Sequence, residues 1–237
     1  MTSESGPDYA GAYRDLRIPL SELLGATNDA ALDAIAPTTP KWRVRDIAAH
    51  LTGVCDDITQ GNIEGAPSDA WTAAQVAKRV DWPMDRLLAD WEEHAIVVER
   101  QMNAWGPGMG QMVFDAFTHD QDIRGALGAP GDHDSAAITI AFDWIVANLA
   151  APADADPDDA RLRPAIQLCT EVGVTDILGL PGSGTTLRVS RLEFLRTFTG
   201  RRSRRQMEEL DWDGEPRVDD LCGGNEVFRP AELDVIE

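Results

Sequence analysis

Apolar residues recur every three to four positions through the first two thirds of the chain, as is typical of helices that bury one face. Short stretches rich in proline and glycine interrupt this pattern and separate one helix from the next. Pro19 falls inside the first helical stretch, where it is expected to cause a kink or an early break. The periodicity therefore predicts helices at about 9–26, 42–62, 70–80, 84–104, 110–127 and 134–149.

The pattern changes at 150–163, an acidic, proline-containing stretch without apolar periodicity that indicates an interdomain linker. Beyond it the period shortens, and the tail from residue 211 onward gives no clear assignment. These patterns predict two domains, a mainly helical bundle at 1–152 and a small α+β domain at 164–237. The second domain is expected to contain strands at 165–171, 174–178 and 185–189, a turn at 179–184, and helices at 191–199 and 204–210.

Hydrophobic residues make up 43% of the 237 residues and charged residues 26%, ordinary values for a soluble globular protein. The formal net charge of −20 argues against nucleic acid and anionic membranes as partners, because both require a basic surface. No apolar run could cross a bilayer, and the N-terminus lacks the features of a secretory signal. Three widely spaced cysteines favour reduced thiols in the cytoplasm over a disulfide framework. The richness in Arg, Ala and Asp indicates a GC-rich bacterial source.

Two carboxylates and an imidazole interrupt the apolar face of the helix predicted at 110–127. Asp115, His119 and Asp122 stand at i, i+4 and i+7, a spacing that places them on one stripe of that helix. His50 occupies a similar position on the apolar stripe of the helix predicted at 42–62. Such groups are costly to bury unless they pair with one another or bind a cation.

A divalent metal site would explain this cluster, with His50, Asp115 and His119 as the ligands. Two ligands come from one helix and the third from a facing helix, which leaves an open position for water or a thiol. Asp122 would then hold a ligand imidazole in its tautomer. The alternatives are a local Asp–His ion pair and a hydrogen-bonded core histidine. The placement of these groups on buried stripes of two separate helices favours the metal site.

Other catalytic templates fit poorly, since the chain has no GxSxG elbow, no P-loop and no dinucleotide-binding glycine pattern in the required context. His94 is expected to be solvated among glutamates and His133 to belong to a loop or cap, so neither is expected to bind metal. The arginine cluster at 201–205 is the only concentration of basic residues. A solvated helix end is the favoured explanation for it, and an anion clamp for a carboxylate-bearing substrate is the functional alternative.

Two motifs resemble those of the mycothiol-dependent maleylpyruvate isomerase family. The sequence KWRVRDIAAHLTG at 41–53 resembles its W-x-V-x-D-x-x-x-H-L signature, and FDAFTHDQDIRGALG at 114–128 resembles its second signature. The family belongs to the DinB-like superfamily of metal-binding, up-and-down four-helix bundles. The C-terminal stretch RLEFLRTFTGRRSRRQMEELDWDGE resembles the small sterol-carrier-like α+β domain that is often attached in this family.

Carried over to matching positions, the resemblance implies that His50, Asp115 and His119 bind a divalent metal, most commonly zinc. The family's isomerase has Glu where this sequence has Asp115, which keeps the oxygen donor but is one methylene shorter. The family uses mycothiol as a thiol cosubstrate. Its isomerase chemistry also uses an arginine of the C-terminal domain, for which Arg201 and Arg202 are the candidates here.

The resemblance thus implies a metal-dependent thiol transferase or isomerase that acts on a small molecule, as a monomer or homodimer. A hydrolase that uses metal-bound water is a neighbouring possibility. A non-catalytic small-ligand or metal-binding protein of the same fold is an alternative from another class, as is a regulatory protein whose acidic surface meets a basic partner.

Overall fold

A computed structural model describes residues 6–150, 164–179, 184–222 and 228–236. The described residues form two compact units that divide between Ala141 and Phe142. This division falls within a helix, whereas the predicted linker at 150–163 lies almost wholly outside the described residues. The domain boundaries at 1–152 and 164–237 therefore stay predictions.

The first unit is a bundle of four long helices with short connecting helices. The first long helix packs against the third and fourth, and the second long helix packs against the same two. The long helices are α1 (Tyr9–Ala26), α3 (Val44–Gln60), α5 (Met84–Trp105) and α6 (Gly110–Leu127); shorter helices are α2 (Asp29–Leu32), α4 (Asp69–Arg79) and a 3-10 turn at Pro107–Met109. The helix α7 (Ala136–Leu149) begins in this unit and ends in the next.

The helix α1 is continuous through Pro19, so the expected early break is wrong. The ring of Pro19 lies on the exposed face, where the carbonyl that loses its hydrogen-bond donor can turn to water. The buried face carries Leu16, Leu20 and Leu24. At its start, Asp8 accepts a hydrogen bond from the backbone of Gly11 over 2.9 Å, which caps the helix.

The second unit contains a four-stranded sheet in the order β2-β1-β3-β4. The central strands β1 and β3 are parallel, and each pairs antiparallel with an edge strand. Ile166 and Leu168 are buried while Gln167 between them is exposed, the alternation of a sheet with one covered face. The elements are β1 (Ile166–Thr170), β2 (Gly173–Ile177), β3 (Thr186–Arg188), β4 (Asp211–Asp213), α8 (Arg191–Phe198), α9 (Arg204–Glu208) and α10 (Val218–Leu221).

The predicted fold class, a mainly α bundle followed by a smaller α+β part, is confirmed. The six predicted N-terminal helices and the three predicted strands are all present, with ends that shift by at most two residues. The strand β4 and the helix α10 lie in the tail that the sequence left unassigned. Most of the turn predicted at 179–184 lies outside the described residues.

A buried ionic cluster ties α3, α4 and α5 together. One carboxylate oxygen of Asp56 contacts both Lys78 and Arg79, and the Arg79 guanidinium lies 3.2 Å from Asp90. The other oxygen of Asp56 lies 3.3 Å from Nε2 of His94. The expectation that His94 is solvated is therefore wrong, because only 16% of its side chain is exposed and its ring joins this cluster.

All three cysteines are free, as the sequence predicted. Cys55 is buried and its Sγ lies 3.2 Å from the Tyr13 hydroxyl, while Cys222 is buried in the second unit and Cys169 is partly exposed. Burial raises the pKa of Cys55 to about 12 and that of Cys222 to about 11. Among the described residues, no helix combines the length and apolar character needed to cross a bilayer.

Cysteine alkylation should follow these environments. With a pKa of about 12 instead of 9.0, the Cys55 thiol has a thiolate fraction at pH 8 that is roughly a thousandfold smaller than that of an ordinary cysteine. We expect iodoacetamide to modify Cys169 first and Cys55 last in the native protein, measured by mass spectrometry of peptides over time. In urea the three rates should converge, and rapid native modification of Cys55 would contradict the burial described here.

Candidate metal centre

The first motif positions His50 through the start of α3. The carboxylate of Asp46 accepts hydrogen bonds from the backbone and guanidinium of Arg43 over 2.9 and 2.8 Å, which fixes the first turn of the helix. Val44 is fully buried and anchors that turn in the bundle. His50 follows Asp46 by one turn on the inward face, and Trp42 precedes the helix with its indole against the His50 ring, 5.4 Å between centroids.

The second motif positions three side chains along α6. Asp115, His119 and Asp122 stand on one stripe of this helix, as the sequence predicted. Ile123 beside them is fully buried and Gly128 ends the helix in the left-handed conformation, with φ of 61°. Asp122 has no exposed surface, so its carboxylate is directed wholly into the protein.

The structure brings His50, Asp115 and His119 together from α3 and α6. Nε2 of His50 lies 3.3 Å from one oxygen of Asp115, and Nε2 of His119 lies 3.7 Å from the other. One ligand atom from each of the three side chains lies within 4.8 Å of the other two. The three residues predicted as metal ligands therefore form one cluster that could hold a metal ion.

The donor atoms fit a divalent metal in number, type and spacing. Zinc in tetrahedral coordination holds its nitrogen and oxygen ligands at bond lengths near 2.1 Å, so adjacent ligand atoms are about 3.4 Å apart. The nitrogen-to-oxygen separations of 3.3 and 3.7 Å, each to a different oxygen of Asp115, are close to that spacing, and one ligand atom from each residue lies within 4.8 Å of the other two. Two imidazoles and a carboxylate also match the ligand set of catalytic zinc sites that keep an open position.

Both imidazoles are oriented by partners on the side away from Asp115. Nδ1 of His119 lies 3.0 Å from Asp122, and Nδ1 of His50 lies 2.7 Å from the side-chain oxygen of Gln75. A carboxylate can only accept, so Nδ1 of His119 donates to Asp122 and the lone pair of Nε2 is directed at the cluster. The contact brings Asp122 to the ring of His119, and its expected role of holding a ligand imidazole in its tautomer stays a prediction.

The pKa values of the two histidines are shifted in opposite directions. Burial disfavours the charged form of His50, but the Asp115 carboxylate, Gln75 and Asp57 together outweigh it and raise the pKa of His50 above its usual value. Burial also dominates at His119, where Asp122 and Asp115 only partly oppose it, so the pKa of His119 is lowered. The surroundings of His119 therefore favour its neutral form, which has one unprotonated ring nitrogen for a cation, whereas those of His50 favour its charged form.

The cluster is covered on one side and accessible on another. The indole of Trp42 stacks on His119 with 5.7 Å between ring centroids and also contacts His50. Side chains of His50 and His119 are 4% and 10% exposed, whereas that of Asp115 is 34% exposed. Access to the ligand atoms is therefore from the side of Asp115.

The predicted candidates Arg201 and Arg202 lie in the second unit, where both are engaged. Arg201 donates to the carbonyl of Thr199 over 2.7 Å, and Arg202 makes two hydrogen bonds to Glu193 of 2.6 and 2.7 Å. The neighbouring Arg204 and Arg205 pair with acidic residues at the surface, as expected of a solvated helix end. An anion clamp at Arg202 would require its ion pair with Glu193 to open.

Gln75 and Trp42 contact the predicted ligands and Asp57 holds Gln75, but the sequence alone gives none of the three as a site residue. Gln75 lies on α4, a short polar helix without a catalytic motif. It is 25 residues from His50 in the sequence, so no local pattern indicates their contact. Trp42 stands in the motif at 41–53 that resembles the family's first signature, and this place is the sequence signal for a role beside the histidines.

Comparisons with known proteins identify the same family. Residues 13–130 match the family described as mycothiol maleylpyruvate isomerase N-terminal domain. The fold is similar to the crystal structure of a histidine-to-alanine mutant of the mycothiol-dependent maleylpyruvate isomerase, with a TM-score of 0.56 and 13% identity over 81% of this chain and 88% of that one. No curated protein sequence matches the chain. Through the helical part that carries the cluster, the chain belongs to the mycothiol maleylpyruvate isomerase N-terminal domain family.

Proposed function

We propose that this protein is a divalent-metal-dependent enzyme that uses mycothiol as its thiol cosubstrate, either as an isomerase or as a thiol transferase. The observation that carries the proposal is the convergence of His50, Asp115 and His119 within 4.8 Å in a chain of this family. Zinc is the metal proposed, because two imidazoles and one carboxylate suit it and the remaining position can take a thiol.

His50, Asp115 and His119 would hold the ion. A bound divalent cation lowers the pKa of a coordinated thiol, so that a thiolate nucleophile is present at neutral pH. Asp115 contributes the negative charge that offsets part of the cation's charge, and its exposed side provides the approach for cosubstrate and substrate. Asp122 and Gln75 orient the two imidazoles, and Trp42 excludes water from their shared face.

The test combines metal analysis with a thiol-dependent assay. Tag-free protein should contain close to one equivalent of zinc or another divalent metal after incubation and desalting, measured by elemental mass spectrometry. The loaded protein should convert maleylpyruvate or another small electrophile only when mycothiol is present, and chelation should abolish the reaction.

Three outcomes would overturn the proposal. Absence of bound metal after incubation with zinc would leave a metal-free binding protein as the better account. Turnover of an activated ester by loaded protein without any thiol would indicate a hydrolase. Stoichiometric metal without any mycothiol-dependent reaction across a panel of electrophiles would indicate a metal-binding protein that is not this enzyme.

Asp122 offers a specific prediction about metal affinity. Asp122→Asn keeps the size of the side chain but replaces an obligate acceptor with a group that can also donate, so Nδ1 of His119 is no longer required to carry the proton. Loss of such an orienting carboxylate typically weakens metal binding 10- to 100-fold, and we expect an effect of about that size. Competition with a zinc chelator measures it, and unchanged affinity would remove the role assigned to Asp122.

A further inference from the structure

We propose that Gln75, held in place by Asp57, is a positioning residue that keeps the proton of His50 on Nδ1 and so leaves Nε2 unprotonated for metal. The inference rests on the proposed metal site and assigns a function to α4, which supplies no ligand. It concerns one imidazole that lies between two hydrogen-bond acceptors, the amide of Gln75 and the carboxylate of Asp115.

The direction of the Gln75 amide follows from its second contact. Its nitrogen lies 2.7 Å from Oδ2 of Asp57, and a carboxylate can only accept. The amide oxygen must therefore face the other way, where it lies 2.7 Å from Nδ1 of His50. Because that oxygen can only accept as well, Nδ1 of His50 must carry the proton and donate it.

Asp57 is itself held in place by hydrogen bonds, and this fixes the direction of the Gln75 side-chain amide from the side of Asp57. The side-chain amide of Asn62 donates to Oδ1 of Asp57 over 2.9 Å, and the backbone of Asn62 donates to the Asp57 carbonyl over 2.8 Å. Oδ2 of Asp57 is thereby directed at Gln75. The resulting chain of hydrogen bonds runs from Asn62 through Asp57 and Gln75 to His50.

The chain of hydrogen bonds opposes a competing tautomer. Nε2 of His50 lies 3.3 Å from the Asp115 carboxylate, and without other partners a neutral imidazole would place its proton there to donate to that carboxylate. That tautomer has no lone pair on Nε2 and cannot bind a metal through this atom. Gln75 provides the acceptor at Nδ1 that shifts the balance to the binding tautomer.

Gly53 makes the contact possible. A Cβ at this position would lie 2.5 Å from Cβ and 2.7 Å from Cγ of Gln75, which is closer than non-bonded carbon atoms approach each other in proteins. His50, Gly53 and Asp57 stand at i, i+3 and i+7 on the face of α3 that α4 covers, so the Gln75 side chain lies along this face over the glycine. A glycine inside a helix, unfavourable for helix stability, thus lets α4 approach closely enough for Gln75 to reach His50.

Two adjacent carboxylates provide a matched test, because both link α3 to α4 and only one belongs to the chain of hydrogen bonds. Asp57→Asn can donate to Gln75 and so permits its amide to turn over, whereas Asp56→Asn weakens the contact with Lys78 and Arg79 and removes no partner of the Gln75 side chain. Zinc affinity is measured by chelator competition, and the His50 tautomer by long-range 1H–15N spectra of metal-free protein at a pH where the ring is neutral.

We expect Asp57→Asn and Gln75→Leu to weaken zinc binding about 10- to 100-fold and to shift the His50 proton to Nε2. Asp56→Asn should lower the melting temperature while zinc affinity stays within about twofold. The double variant Asp57→Asn with Gln75→Glu reverses the roles of donor and acceptor, because the new amide donates to the new carboxylate, which still accepts from His50. We expect it to recover most of the affinity that Asp57→Asn loses.

The inference is overturned if Asp57→Asn and Asp56→Asn weaken zinc binding equally, or if the double variant does not recover. It is also overturned if the wild-type tautomer carries its proton on Nε2. Failure of the proposed function gives a different result: wild-type protein would bind no zinc, while the tautomer of the metal-free protein would still respond to Gln75→Leu.

Discussion

His50→Ala is expected to lower the affinity of the protein for zinc by at least about a hundredfold. Structural zinc sites with four protein ligands contribute roughly 10–16 kcal/mol, or about 3 kcal/mol for each ligand, and 1.4 kcal/mol corresponds to a factor of about ten. Asp115→Ala should have an effect of similar size, since it removes the only carboxylate among the three predicted ligands. Mycothiol-dependent turnover should fall with metal occupancy in both variants.

His133 provides the control for the loss of an imidazole. It is exposed, lies on the loop before α7 and is not among the three predicted ligands, so His133→Ala should leave zinc affinity unchanged. Zinc affinity is measured for all variants by chelator competition, with metal content confirmed after desalting. Retention of tight, stoichiometric zinc by His50→Ala would mean that the ion is held elsewhere in the chain.

Arg79→Leu is expected to cost about 3 kcal/mol of unfolding free energy. Only 1% of the Arg79 side chain is exposed, and its guanidinium pairs with Asp56 and Asp90. Removing one partner from a buried ion pair typically costs about 3–5 kcal/mol, and the low end of that range is expected here because Asp56 keeps its contact with Lys78. Urea denaturation of the metal-free protein followed by circular dichroism measures this difference.

Lys78 is the matched control, because it contacts the same oxygen of Asp56 and is the neighbour of Arg79 in the chain. Its side chain is 57% exposed, and exposed ion pairs contribute roughly 0–1 kcal/mol, so Lys78→Met should have little effect. If Lys78→Met lowered the unfolding free energy as much as Arg79→Leu, burial would not be what determines the contribution of each cation in this cluster to stability.

The destabilisation caused by Arg79→Leu should also depend on pH. Burial raises the pKa of Asp56, but hydrogen bonds from Lys78 and Arg79 outweigh it, and the net pKa is lowered. A carboxyl whose pKa is depressed by folding stabilises the protein above its unfolded pKa of about 3.9 and loses that contribution as the pH falls through its folded value. The gap between wild type and Arg79→Leu should therefore narrow below about pH 4.

The clustering of His50, Asp115 and His119 could be predicted from the sequence because each of these residues has a local signal. Helical spacing alone places Asp115, His119 and Asp122 on one stripe, and apolar neighbours show that this stripe and that of His50 face the interior. In a small bundle, only a few helix arrangements are possible in which two polar stripes both face the interior, and most of these bring the stripes into contact. The family resemblance then indicated that the cluster binds a metal, a question that the spacing alone does not decide.

The partners that orient the cluster could not be predicted, since they depend on how helices approach one another. Gln75 reaches His50 only because Gly53 lets α4 come close to α3, and the sequence does not give the register of one helix against another. The prediction for His94 is wrong for the same reason, because its contact with Asp56 on α3 depends on how α3 and α5 pack against each other. The strand β4, three residues long, is defined by its pairing with β3 rather than by any pattern of its own.

The two helices that carry the predicted ligands are separated in the chain by α4 and α5. An ion held jointly by His50 and Asp115 would act as a reversible cross-link that closes a loop of about 65 residues. Chain-entropy estimates for a permanent link of that length give about 4 kcal/mol, and ligand binding in general stabilises a fold according to its saturation. Metal occupancy would then be a variable of the folding equilibrium of this bundle, and unfolding free energies would be comparable only between samples with the same metal content.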